Sequence, residues 1–166
     1  MGAWHLLRDG APAFAPLLDA ANPLASVCYT DRYLHSPLVL HLLRSLFLGL
    51  THYPGGIGAN TTVTVRTARL ERQNTLQPYR VNHDWCDAED RRRVASTLMH
   101  GQPGRFIWAE EQKRWELPHA RELDLRWANG QRILLRLDQG LGYWRAGGGD
   151  TNFPFSTDPI RQSEAL

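Results

Sequence analysis

The chain has 166 residues, 42% of them hydrophobic and 22% charged, with a formal net charge of +2. That is the balance of one soluble globular domain, and two full domains are not expected. A chain of this length removes roughly 70% of its unfolded surface from water on folding, which excludes the miniprotein classes stapled by disulfides or metals. Cys28 and Cys86 form no C-x-x-C pair and the N-terminus lacks a secretory pattern, so a reducing cytoplasm is the expected compartment.

Of the 19 basic residues only Lys113 is a lysine. Arginine's planar fork suits carboxylates and phosphates, although the bias also reads as genome composition. With 17 acidic residues against 19 basic, a broad surface for coating nucleic acid is not expected. Phosphate contacts, if present, should be local.

Residues 1–24 are rich in Ala and Pro with scattered leucines and predict a helical connector of one or two short helices. Ser26 to Thr30 is β-branched and aromatic, a strand that Asp31-Arg32-Tyr33-Leu34 ends. Ser36 and Pro37 then form an N-cap and first helical position, opening an apolar helix that runs to about Leu50 and is too short and polar to span a bilayer. The glycine-rich stretch from Thr51 to Asn60 lacks a P-loop's lysine and hydroxyl and reads as a flexible surface loop. A strand from Thr61 to Leu70 follows it.

Asp87 caps a second helix that Gly101 closes, with Val94 and Leu98 on a narrow apolar stripe and Arg91, Arg92 and Arg93 on a solvated face. Arg105 to Glu111 reads as another strand. Leu123, Leu125 and Trp127 alternate with polar residues, as do Ile133, Leu135 and Leu137, and Asn129-Gly130 lies between the two runs. This is a hairpin. A three-residue loop with Gly130 in the left-handed region pairs Leu125 with Ile133 and Leu123 with Leu135, keeping the apolar faces together. Extended backwards, period two places Arg121 and His119 inward on the same face.

The element order predicts an α/β fold: a mixed β-sheet flanked by helices, with a C-terminal β-hairpin. Residues 25–160 form the expected domain body and 161–166 a tail, with Phe153 and Phe155 pinning the glycine-rich stretch from Ala146.

His119-Ala120-Arg121 is the sharpest chemical candidate. A histidine near neutral pKa attacks phosphorus or shuttles a proton, and a guanidinium on the same face holds phosphate oxygens. The structural alternative is a histidine bonded to backbone beside an arginine paired with Glu116 or Asp31. Asp31 stands at the carboxyl end of its strand, where α/β sheets place ligands, and either orients His119, accepts from an arginine, or caps the following turn. Tyr33 should pack its ring and expose its hydroxyl. His83-Asp84-Trp85-Cys86-Asp87 matches no zinc spacing, so no metal is expected, and no cofactor fingerprint occurs. The six tryptophans read as core residues more readily than as base-stacking platforms.

Asp31-Arg32-Tyr33-Leu34, His119-Ala120-Arg121-Glu122, Asn129-Gly130 and Gly140-Leu141-Gly142-Tyr143-Trp144, in that order, resemble the phospholipase D-like domain at the C-terminus of MIT-domain proteins and its bacterial relatives. The resemblance spans roughly Ser26 to Pro159. It implies a phospholipase D-like α/β sandwich and a homodimer. It also implies a ligand site of Asp31, Arg32, Tyr33, His119, Arg121 and Glu122 for a phosphate-containing ligand, either nucleic acid or anionic lipid. Active members use His-x-Lys, a downstream aspartate and a Gly-Ser-x-x-x-Asn element. Here Arg121 and Arg126 replace the lysine and the aspartate and the last element is missing, which implies a degenerate, non-catalytic module, set in a larger helicase-type or defence protein. The alternatives are a phosphodiesterase or nuclease with His119 and Arg121 at a dimer-built site, and a module that binds anionic membranes.

Overall fold

The computed structural model describes residues 3–34, 37–69 and 87–137. Two short helices, α1 (Ala3–Gly10) and α2 (Ala15–Asp19), lead into strand β1 (Leu24–Asp31). Helix α3 (Pro37–Leu50), β2 (Thr62–Ala68), α4 (Ala88–Leu98) and β3 (Arg105–Glu111) follow, then a 3-10 turn (Arg114–Glu116) and the hairpin β4 (Arg121–Trp127) and β5 (Arg132–Leu137). The expected α/β class and mixed sheet are present: the strand order is β3-β2-β1-β4-β5, with β1, β2 and β3 parallel and β4 and β5 antiparallel to their neighbours.

The hairpin has the register that its alternation predicts. Leu125 faces Ile133 and Leu123 faces Leu135, Trp127 N–H donates to the Gln131 carbonyl, and Gly130 takes φ +86°. Gly130 is open to solvent, so its requirement is conformational: an L side chain strains at that φ.

One sheet face carries Val27, Tyr29, Val63, Val65, Leu123 and Leu125, all within one core with Leu40, Leu43 and Phe47 of α3. Trp4, Phe14 and Leu18 from α1, α2 and the link between them join that core. Phe14 meets Trp127 edge to face and Trp4 Nε1 donates to the Leu46 carbonyl, so the N-terminal helices share the same side of the sheet. Burial of these side chains supplies about 1.5–3 kcal/mol each against exposure.

Two expectations are corrected. The glycine-rich stretch after α3 is no flexible surface loop: Gly55, Gly56 and Ile57 are buried. Gly55 N–H donates to the Leu18 carbonyl, and its own carbonyl accepts from Trp127 Nε1 at 2.8 Å. A Cβ on Gly56 would stand 1.7 Å from the Leu50 oxygen, so glycine is needed there for close approach and not for mobility.

The second correction concerns α4. Asp87 caps it as expected, accepting from the Glu89 and Asp90 amides, but Arg91 does not lie on a solvated face. Its side chain is 0% exposed, whereas Arg92 and Arg93 are exposed. Arg91 leads the inner stripe that continues at Ala95 and Met99, both buried, because positions four apart share a helix face. Its guanidinium donates to Glu110 at 2.5 Å, to the Ala68 carbonyl at 3.1 Å, to the Leu34 carbonyl at 3.3 Å and to Thr67 Oγ1 at 3.4 Å.

The side of the sheet away from the described helices balances its own charge. Asp124 holds both Arg126 and Arg132, and Glu111 holds Arg66. Burial pushes the Asp124 carboxyl up, but hydrogen bonds from Arg132 and Arg126 outweigh it and leave the carboxyl below its ordinary value. No described helix is long and apolar enough to cross a membrane.

Removing one partner of a buried pair strands the other, so Arg91→Ala should cost about 3–5 kcal/mol in urea unfolding. The double change Arg91→Met with Glu110→Leu should recover most of that loss, and a double variant as unstable as Arg91→Ala would contradict the pair. For Asp124, a lowered folded pKa stabilises above the unfolded value near ~3.9 and is lost as pH falls through the folded value. The urea midpoint of the native chain should therefore drop more steeply below about pH 4 than that of Asp124→Asn.

Candidate functional site

Four segments converge where β1 ends and β4 begins: the β1 terminus at Asp31, the turn Arg32-Tyr33-Leu34, the 3-10 turn and the approach to β4 at His119. Antiparallel pairing of Thr30 with Glu122 sets Arg121 beside Asp31. Alternation puts Arg121 on the core side with Leu123 and Leu125, as the period predicts, and its side chain is 21% exposed.

Asp31 is buried at the hub. Oδ2 accepts from the Tyr29 hydroxyl at 2.9 Å, Oδ1 accepts from the Tyr33 amide at 2.7 Å, and Arg121 Nε lies 3.6 Å from Oδ1. Asp31 thus caps the turn and faces the arginine, two of the three roles considered. It does not orient His119. Of the carboxylates considered for Arg121, the structure places Asp31 beside it.

Tyr33 collects cations. The guanidinium carbons of Arg114, Arg121 and Arg32 lie 4.1, 4.6 and 4.9 Å from its ring centroid, within cation–π range. Arg32 Nη2 donates to the Tyr33 hydroxyl at 2.8 Å and contacts His119 Nδ1, and the same hydroxyl lies 3.1 Å from that nitrogen. His119 meets the Tyr33 ring edge-on at 5.6 Å.

His119 is exposed, which corrects its expected inward position. The strand begins only at Arg121, and the residues from the 3-10 turn onward do not continue its alternation. Glu122 also stands apart from the predicted ligand group. It points to the opposite face and meets Arg136 at 3.6 Å, an outcome that period two already carries, since Arg121 faces inward.

Two residues of the 3-10 turn escaped the sequence reading. Arg114 belongs to no motif and reaches Tyr33 only through the fold. Trp115 follows it and is 76% exposed, against the expectation that the tryptophans are core, with Lys113 Nζ 5.9 Å from its ring centroid. An exposed large aromatic beside cations was the available signal. Asp31, Arg32, Tyr33, His119 and Arg121 do come together.

The sequences His83 to Cys86 and Gly140 to Trp144 lie outside the described residues, as do Phe153 and Phe155. Among the described residues no group of His, Cys, Asp and Glu gathers in the number a metal ion needs.

A family model described as DEAD/DEAH box helicase YjiV, C-terminal domain, matches residues 1–166. No curated protein and no solved structure matches. The whole-chain match overturns the resemblance to the phospholipase D-like domain of MIT-domain proteins. With it fall the degenerate phospholipase D-like function and its phosphodiesterase and membrane-binding alternatives. Those readings rested on short motifs that recur by chance. The helicase-type context expected for the larger protein is supported.

Asp31→Ala removes the acceptor used by the Tyr29 hydroxyl and the Tyr33 amide and should destabilise the chain by about 3 kcal/mol in urea unfolding. Asp31→Asn keeps an acceptor oxygen and should cost less. Equal losses for the two variants would show that Asp31 acts through its charge and not as the hub of these hydrogen bonds.

Proposed function

The chain belongs to the family of DEAD/DEAH box helicase YjiV C-terminal domains, and from that premise we propose that it is an accessory module that contacts single-stranded nucleic acid for a helicase. The observation that carries the reading is the cation cluster on Tyr33. Arg32 and Arg114 have no carboxylate within ion-pair distance among the described residues, whereas Arg66, Arg91, Arg126 and Arg132 each have one. Guanidiniums held open in this way suit phosphate oxygens. Trp115 stands exposed in the turn that carries Arg114, and an aromatic face beside cations is the pairing that holds unpaired bases along a strand.

The chemistry is binding. The exposed imidazole of His119 supplies one polar partner and the guanidiniums supply charge. The sequence carries no P-loop of its own, so nucleotide hydrolysis is assigned to the helicase to which such a domain is attached. Arg121 is partly occupied by Asp31 and serves mainly to hold Tyr33 between the other cations.

Fluorescence anisotropy with a labelled oligothymidylate tests the reading. Trp115→Ala should weaken binding by about tenfold, within the range of one lost base stack. Arg32→Ala with Arg114→Ala should weaken it and flatten the slope of log affinity on log salt by about 1.4, the value for two lost contacts to a single strand. No binding at low salt, or binding indifferent to all three substitutions, would remove the proposal.

A further inference from the structure

We infer that the Tyr33 cluster receives the terminal phosphate of a nucleic-acid strand, a monoester dianion, in preference to the diesters within it; this rests on the nucleic-acid reading above and specifies its ligand.

The first support is charge. Of the three guanidiniums around Tyr33, Arg121 faces the buried Asp31 carboxylate. That carboxylate is already committed to the Tyr29 hydroxyl and the Tyr33 amide. Arg32 and Arg114 face no carboxylate among the described residues, and Glu122 is turned to the other face toward Arg136. Two positive charges therefore remain without a local counter-charge among the described residues. A phosphate monoester carries about −1.5 to −2 at neutral pH, whereas a strand's interior offers one charge per nucleotide.

The second support is shape. The three guanidinium carbons lie between 4.1 and 4.9 Å from one ring centroid. Cations that follow a backbone are strung along a groove, whereas these surround a single tyrosine ring. The remaining arginines near the hairpin lie on the opposite face and are held by Asp124 and Glu122, so no row of free cations leads away from Tyr33 along β4 or β5.

The third support is donor number. A terminal phosphate presents three oxygens besides its ester link, and Arg32, Arg114 and the exposed imidazole of His119 offer separate polar partners for them. Arg32 is fixed for this task by its bond to the Tyr33 hydroxyl and its contact with His119 Nδ1. Trp115 follows Arg114 in the chain and is exposed, which leaves its ring available to a base. An end-binding site of this kind suits a module that must find where a strand begins or stops.

The test is competition against a labelled oligothymidylate bound to the full 166-residue chain. The unlabelled competitors are the same sequence with a 5′-phosphate, a 3′-phosphate, or hydroxyls at both ends. One phosphorylated competitor should displace the probe at a roughly tenfold lower concentration than the hydroxyl-ended strand, as one strong charge-assisted contact gives. The preferred end identifies the strand polarity. Arg114→Ala, at an exposed residue with no described carboxylate partner, should erase the preference in a chain that still unfolds cooperatively, and Arg32→Ala with Arg114→Ala should erase it as well. Equal competition by all three strands would overturn the terminal-phosphate inference and leave the nucleic-acid reading standing. No binding by any strand would overturn both, and a preference that survives in both variants would remove it from this cluster.

Discussion

A fully buried guanidinium holds together the end of the sheet on which the site is built. Arg91 comes from α4, yet its donors reach the Leu34 carbonyl beyond β1, Thr67 and the Ala68 carbonyl at the end of β2, and Glu110 near the end of β3. All three parallel strands and the helix between two of them therefore share one cation. Burying that charge is expensive, and the cost is offset only because several acceptors and the face of Trp108, 5.5 Å away, surround it. Glu110 carries the opposing strain: burial pushes its carboxyl above the ordinary range, while Arg91 pulls it down.

The consequence reaches the candidate site through Leu34. Its carbonyl is one residue from Tyr33, so the Arg91 bond fixes the far side of the turn that Asp31 caps on the near side. Held at both ends, Tyr33 presents its ring as a platform for Arg32, Arg114 and Arg121. Without that ring, Arg121 would keep the Asp31 carboxylate, while Arg32 and Arg114 would lose the cation–π contact that offsets their repulsion. A single ring thus converts arginines from the β1 turn, the 3-10 turn and β4 into one local charge.

Much of this was legible in the chain, and for physical reasons. Period two and the need for a left-handed residue fixed the hairpin register at Leu123, Leu125 and Gly130, because any one-residue slip mixes the faces. The same alternation turned Arg121 inward. Arg91 was not legible, since three consecutive arginines on a helix look alike until a carboxylate on a distant strand selects one of them. The Gly55-Gly56 pair had the same ambiguity: glycine serves both mobile loops and backbones pressed together, and only the Leu17 and Leu50 carbonyls distinguish the two. His119 and Trp115 lie in irregular backbone, where no period exists to be read. Short motifs such as Asp31-Arg32-Tyr33-Leu34 carried a resemblance that the whole-chain family match replaced.

The arginine bias acquires a structural division once the partners are known. On the side of the sheet away from the described helices, Arg66, Arg126, Arg132 and Arg136 each face Glu111, Asp124 or Glu122, and exposed pairs of this kind add little stability. What they do is cancel charge across a broad surface. At Tyr33 the bookkeeping is reversed, because the nearby buried acid is consumed by capping and by Arg121 while Arg32 and Arg114 face no carboxylate among the described residues. A net charge of only +2 is thus compatible with a strong local field, and the neutral surroundings sharpen it. Three guanidiniums gathered on the Tyr33 ring concentrate positive charge locally in a way that the overall charge of the chain does not reveal.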